Sequence, residues 1–279
     1  MAEEVKVHPS KAEKKVEGND LIAVKTLDGK ILREVKMPSV FKTTIRPDVI
    51  KRAVLAVQSR RIQPKGRDPM AGKRTTAESF GVGQGMARIP RVKGRGTARS
   101  GQGALAPGTV GGRLAHPPLS EKVIVKRINV KERRLAIRSA IAATAQRDLV
   151  QGRGHRVQGI KQIPLVVDDK IEAFKNTKKL TEALKAIGLG EELKRIEGGR
   201  KIRAGKGKLR GRKTKHIKGP LLVVNKDRGI GRAASNIPGL DVSHVSRLNA
   251  ELLAPGTHPG RVTVWDESAF KRLEEVWAE

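Results

Sequence analysis

Cysteine and tyrosine are absent from the 279 residues. Without cysteine there is no disulfide framework, no thiolate nucleophile and no cysteine-ligated zinc, which fits a reducing compartment. Aromatic residues make up 2% of the chain, two Trp and four Phe. Modules that stack successive bases need several aromatics at set places, so base stacking cannot be the main mode of recognition. No apolar run approaches the roughly 18 residues of a membrane span. The opening Met1-Ala2-Glu3-Glu4 lacks the basic and apolar regions of a secretory signal. Charge alone would attract anionic lipid, but no long basic amphipathic helix with bulky apolar residues supports it, and no membrane partner is expected. The most telling shortage is of acids: 28 Asp+Glu stand against 59 Lys+Arg, a net charge of +31. Such an excess implies a polyanionic partner, with nucleic acid the first candidate.

The charge is unevenly placed. Residues 63–118 and 198–219 carry twenty basic residues between them, with Asp68 and Glu78 as their only acids. Residues 220–279 are slightly acidic. Residues 63–118 also hold twelve Gly and six Pro, and their bulky apolar residues keep neither a helical nor an alternating period. A stretch of that length without periodicity is either a solvated linker or a functional segment that orders against a partner. The density of Arg favours an arm that orders on a polyanion, since guanidinium grips phosphate in a bidentate fashion.

Elsewhere the pattern predicts an α/β body. Leu21–Lys25 and Lys30–Val35 flank Asp28-Gly29, a hairpin signal. Pro47 opens a helix with Val49, Ile50, Ala53, Val54 and Val57 on one face, ending near Arg60-Arg61. Asn129 and Glu132 form an Asx capping box for a helix running to about Val150, with Ile137, Ile141, Ala145 and Leu149 as its apolar ladder. Ile163–Val167, Pro220–Val224, Leu240–Val242 and Arg261–Trp265 read as short buried strands. Helical stretches are expected at 171–175, at 177–187 with a Thr177 cap, at 190–197, from Ser243 or Ser246 to Leu253, and from an Asp266 cap to Trp277. The fold class is therefore α/β: three layers, α/β/α, around a mainly parallel central sheet of about four strands, with a long irregular basic internal loop. Residues 1–18 read as a charged N-terminal extension. Residues 19–279 form one α/β domain interrupted by the loop at 63–118 and a basic arm at 198–219.

Catalytic patterns are missing. The glycine pairs at Gly81, Gly94, Gly101, Gly152 and Gly229 lack the spacing and context of a dinucleotide fingerprint. Gly199 and Gly205-Lys206 are one residue out of step with a phosphate-binding loop, and no Ser or Thr follows Lys206. None of the six His has metal-site spacing, so neither metal nor cofactor is expected. Asp168, Asp169 and Asp266 stand at the ends of predicted strands, where α/β enzymes keep catalytic groups; helix capping and loop solvation explain them better. Trp265 alternates with Val262 and Val264 and reads as core. Phe80 sits in the Gly-rich arm, where it either stacks on a base or packs.

Several long stretches carry a family resemblance. Ala77-Glu78-Ser79-Phe80-Gly81-Val82-Gly83, Ala87-Arg88-Ile89-Pro90-Arg91-Val92 and Gly94-Arg95-Gly96-Thr97-Ala98-Arg99-Ser100-Gly101-Gln102-Gly103-Ala104 closely resemble the large-subunit ribosomal protein family "L four", in its archaeal and eukaryotic branch. So do Arg46-Pro47-Asp48-Val49-Ile50, Ser139–Ala145, Arg153-Gly154-His155-Arg156-Val157 and Ile163–Val167. The likeness covers roughly residues 20–279, and the chain stops where a eukaryotic member continues into a basic tail, so it looks archaeal. The resemblance implies an α/β/α domain on the outer surface of the large ribosomal subunit, in the cytoplasm. It also implies a loop that penetrates ribosomal RNA, with its tip at the constriction of the nascent-peptide exit tunnel. By position, residues 81–95 would be that tip, with Gln84, Met86, Arg88 and Arg91 near the tunnel wall.

The expected partners are large-subunit ribosomal RNA, neighbouring ribosomal proteins and the nascent polypeptide. Arg67, Lys73, Arg74, Arg88, Arg91, Lys93, Arg95, Arg99 and Arg113 would neutralise phosphates of several RNA helices. Arg200, Lys201, Arg203, Lys206, Lys208, Arg210, Arg212, Lys213, Lys215 and Lys218 would hold a second region. No catalytic residue is assigned. Two alternatives stay open: a free RNA chaperone or RNA-binding regulator, and an RNA-processing enzyme with an α/β core.

Overall fold

The computed structural model describes residues 21–277; the charged extension expected at 1–18 lies outside the described residues. The chain opens on the expected hairpin. β1 (Leu21–Lys25) and β2 (Ile31–Lys36) pair antiparallel, with a bulge at Val24/Lys25. Helix α1 (Pro47–Ser59) buries Val49, Ile50, Ala53 and Val54, with Val57 half-buried.

Helix α2 (Val130–Ala145) departs from expectation at both ends. The Asn129 side chain makes no cap hydrogen bond, and Glu132 is drawn instead to Arg52 at 2.8 Å, so the capping box does not form. At the far end the helix does not reach Val150. It breaks at Gln146 (φ −87°, ψ 112°) and resumes as α3 (Arg147–Gly152). Just before the break, the Thr144 hydroxyl donates to the Ile141 carbonyl at 2.7 Å, a bond that competes with the helical ladder.

The remaining elements are β3 (Leu165–Val167), α4 (Thr177–Leu184), α5 (Gly190–Gly198), β4 (Lys201–Ile202), β5 (Thr214–Lys215), β6 (Leu221–Val224), α6 (Ile230–Ser235), β7 (Asp241–His244), α7 (Ala250–Leu253), β8 (Thr263–Asp266) and α8 (Glu267–Trp277). Asn176, not Thr177, caps α4, its carbonyl oxygen accepting from the Lys178 N–H at 2.9 Å. The helix expected to reach 187 does so, continuing past Leu184 as a wider π turn until Gly188 breaks it at φ 110°. There its backbone lies so close to Gly159 that a Cβ would stand 2.4 Å from the Gly159 carbonyl oxygen. The stretch expected at 171–175 is a 3-10 turn, Asp169–Ala173. Ser243 and Ser246 start no helix: Ser243 pairs with Val223 inside β7, and α7 begins after Asn249, which caps it through the Leu252 N–H at 2.8 Å. Helix α6 was not anticipated.

The six-stranded sheet runs β2-β1-β3-β8-β6-β7, parallel from β1 to β7, with the hairpin strand β2 antiparallel at one edge. The buried strands alternate between its faces. Val166, Leu221, Val223 and Trp265 join Ile50, Ile141 and Phe270 of the surrounding helices in one core. Leu165, Val167, Leu222, Val224 and Val264 join Leu180, Leu184 and Ile230 in the other. Trp265 is a core residue, edge-on to Phe41 at 5.7 Å and to Phe270 at 6.4 Å.

Two compact units emerge: the sheet with its helices, from residues 21–55 and 128–277, and residues 56–127. Both cores belong to the first unit. Excising residues 63–118 and closing the gap with a short flexible linker should therefore leave a domain that melts cooperatively. A broad, non-cooperative melt followed by circular dichroism would refute this.

Candidate nucleic-acid interface

The second unit is almost coreless. Between Arg60 and Arg127, Ala77 is the one buried residue. What order the arm has comes from its backbone. Arg91 exchanges hydrogen bonds with Glu78 (3.1 and 2.9 Å), Val92 donates to Gln102 (3.0 Å) and Ala104 to Pro90 (2.8 Å), making a small irregular ladder around Glu78, Arg91 and Gly103. Gly72 permits a further close approach: a Cβ there would lie 2.5 Å from the Gly112 carbonyl. Bulky apolar side chains stand in solvent along the arm, among them Val82 at 70%, Val110 at 85% and Val123 at 87% exposure.

The expected contact residues divide by their partners. Arg74 pairs with Asp68, and Lys93 with Glu78, which uses both of the arm's acids. Arg91 is half-buried, and its guanidinium donates to the Gly101 and Ala87 carbonyls at 2.8 and 3.4 Å, so it ties the ladder together. Arg67, Lys73, Arg88, Arg95, Arg99 and Arg113 have no carboxylate within ion-pair distance among the described residues. Gln84 and Met86 are exposed, and Phe80 is 40% exposed, without an enclosing core.

The basic arm at 198–219 is more regular than its composition suggests. β4 and β5 form a two-stranded antiparallel ribbon, Lys201 opposite Lys215 and Ile202 opposite Thr214, joined through a 3-10 turn at Lys206–Arg210. Arg203 is half-buried, donating from Nε to the Arg212 carbonyl at 3.0 Å. Arg200, Lys201, Lys206, Lys208, Arg210, Arg212, Lys213 and Lys215 are exposed, and Lys218 is exposed and paired with Asp241 at 2.9 Å.

The strand-end carboxyls are structural. Asp169, from the end of β3, accepts the N–H and hydroxyl of Ser268 at 2.8 and 2.5 Å and so caps α8. The expected cap, Asp266, does not: it is fully buried and receives no hydrogen bond. Burial, with the Glu172 and Asp169 carboxyls beside it, pushes Asp266 up to about 9, so it is protonated at neutral pH. A folded-state value above the unfolded one means stability that is full in acid and falls as pH rises towards 9. Asp266→Asn should therefore flatten the loss of stability between pH 6 and 9, read from urea midpoints. An unchanged pH slope would contradict this assignment.

A buried polar network was not foreseen. Glu192 accepts from Arg195 at 2.6 and 2.8 Å, contacts His155 Nδ1 at 2.7 Å and takes the Arg156 N–H at 2.9 Å. Burial works against its charge, but these donors hold it at about 2. Arg261, wholly buried, binds the Gly219, Leu252 and Pro220 carbonyls at 2.7, 2.8 and 3.2 Å and Asp241 at 2.7 Å. The one available signal was the Arg153-Gly154-His155-Arg156 run.

Comparison with known proteins adds to this geometry. Residues 35–276 match the sequence profile of the ribosomal protein L4/L1 family. The chain is 54% identical over 256 residues to large ribosomal subunit protein uL4 of Methanosphaera stadtmanae, covering 92% of this chain and 97% of that protein. It is 49% identical to the uL4 protein of Methanoculleus marisnigri, covering 90% and 98% of the two chains. The figure is 47% for that of Saccharolobus islandicus, covering 89% and 91%.

Proposed function

Because this chain belongs to the ribosomal protein L4/L1 family, whose members are structural components of the large ribosomal subunit and not enzymes, we propose that its two basic extensions staple ribosomal RNA. The observation that carries the reading is the near-absence of buried side chains between Arg60 and Arg127. A segment that buries so little of its own surface is held in shape by what surrounds it. The six expected contact residues without a carboxylate partner among the described residues, and a spread of uncovered apolar side chains, suit RNA phosphates, sugars and bases packed on several sides. Affinity of this kind comes from counterion release and shape more than from base reading. The ribbon at 198–219 would grip a second RNA region with its row of exposed Lys and Arg. The exposed tip bearing Gln84, Met86 and Arg88 would border the path of the nascent peptide, and neighbouring ribosomal proteins would complete the surroundings in the cytoplasmic large subunit. No helix among the described residues is long and apolar enough to cross a membrane.

Photocrosslinkers placed at positions 95 and 208 of the full chain, in assembled large subunits, should label ribosomal RNA. One at position 86 should label a stalled nascent peptide. Crosslinks to protein alone from positions 95 and 208 would refute stapling. RNA labelling there without peptide labelling from 86 would remove only the tunnel role.

A further inference from the structure

A cavity of about 520 Å³ lies in the α/β unit, lined in part by Arg153, His155, Arg195, Lys218 and His258. Its volume is in the range of small-ligand sites. Its charge is not balanced from within. Glu192 is taken up by Arg195 and His155, and Asp241 by Lys218 and Arg261. Arg153 has two backbone partners, the His258 and Pro255 carbonyls, and no carboxylate. Burial, with Arg261 and Arg195 nearby, brings its guanidinium down to about 10, the mark of a cation crowded by cations and short of an anion. Asp148, exposed at the lining, is the remaining acid there.

The second observation is on His155. Its ring is buried, Nδ1 is engaged by Glu192, and Nε2 has no partner. Burial lowers its pKa, with Glu192 opposing, so the ring is neutral, Nδ1 carries the proton and Nε2 is an acceptor. A carboxylate or bare phosphate has no proton to give it; a ribose hydroxyl has. Leu149 and Pro259 add an apolar wall, and exposed His258 offers a ring face at the mouth.

We propose that this cavity captures one ribonucleotide of folded RNA, its phosphate on Arg153, the cation there without a carboxylate, beside the paired Arg195 and Lys218, its base along Leu149 and Pro259, and its 2′-hydroxyl on His155 Nε2 once the ribose displaces the packing that closes that atom from solvent. The proposal rests on the reading that the polyanionic partner is RNA, but it uses, apart from Lys218, residues outside both basic extensions. A benzoylphenyl photocrosslinker at position 258 of the full chain, in assembled large subunits, should label one ribosomal RNA nucleotide, and Arg153→Gln should abolish that label. Affinity of the free chain for the RNA should fall about tenfold with Arg153→Gln, and the salt slope by about one. If Arg153→Gln lowers the melting temperature, exposed Lys218→Gln serves as the second variant with the same readouts. Labelling of protein alone, of no RNA, or of RNA regardless of Arg153 and Lys218 would overturn the proposal. A crosslinker at position 95 run in parallel separates the failures. RNA labelling from 95 but not 258 sinks only the cavity; loss of RNA labelling from both sinks the stapling reading as well.

Discussion

Replacing Arg67, Lys73, Arg88, Arg95, Arg99 and Arg113 together with glutamine should cost on the order of 10³-fold in affinity for large-subunit ribosomal RNA near 50 mM salt, and flatten its salt dependence. These six have no carboxylate partner among the described residues, so their charge is free to meet phosphate. Each phosphate neutralised contributes roughly 0.7 to 0.9 to the slope of log affinity against log salt, so the slope should fall by about four to five. A matched change at Arg74 and Lys93 should do less per residue, because Asp68 and Glu78 already share those charges. The substitutions touch no core residue, and the α/β unit should melt as before. Filter binding or fluorescence titration from 50 to 200 mM salt reads the result. A salt slope unchanged by six lost cations would show that the arm does not contact phosphate.

The largest expected loss of stability lies at Arg261. Its guanidinium is completely buried and satisfies three backbone carbonyls, at Gly219, Leu252 and Pro220, besides Asp241. These come from the start of β6, the end of α7 and the start of β7, so one side chain ties the entry points of the sheet. Burial disfavours its charge and Asp241 opposes that. Arg261→Ala leaves the carbonyls and carboxylate without a donor, which should cost about 3–5 kcal/mol. In a domain of this size that lowers the melting temperature by roughly 10 °C. Arg261→Lys should recover only part, since an ammonium cannot reproduce the planar fork. A melting temperature within 2 °C of the parent for Arg261→Ala would refute the tie.

Much of the sheet was legible because its strands are short β-branched runs: Leu165–Val167, Leu221–Val224 and Thr263–Asp266 fall inside or beside the expected ranges. The hairpin was legible from Asp28-Gly29. Helix ends were not, because caps are decided by competition. Glu132 had Arg52 as a rival partner, Asn176 displaced Thr177, and Asp169 reached across the sheet to cap the helix expected to be capped by Asp266. None of these is a neighbour in sequence, except Asn176. The proposed interface was legible as composition, since charge and glycine content need no fold to be read. Which cations are spoken for was not: Arg91, Arg74 and Lys93 look identical to Arg95 in the sequence and differ only in what the chain brings against them. The buried Arg153, His155, Glu192 and Arg261 were hidden for the same reason, as the partners named for them, apart from Arg195 at Glu192 and the Leu252 carbonyl at Arg261, lie 20 to 105 residues away.

A cryo-electron microscopy map of large subunits containing this chain tests the central claim most directly. The account predicts that residues 63–118 are enclosed by ribosomal RNA, with the Arg67, Arg88, Arg95, Arg99 and Arg113 guanidiniums and the Lys73 ammonium within hydrogen-bonding distance of phosphates from more than one RNA helix. A map that shows this segment in solvent, or packed only on protein, would contradict it.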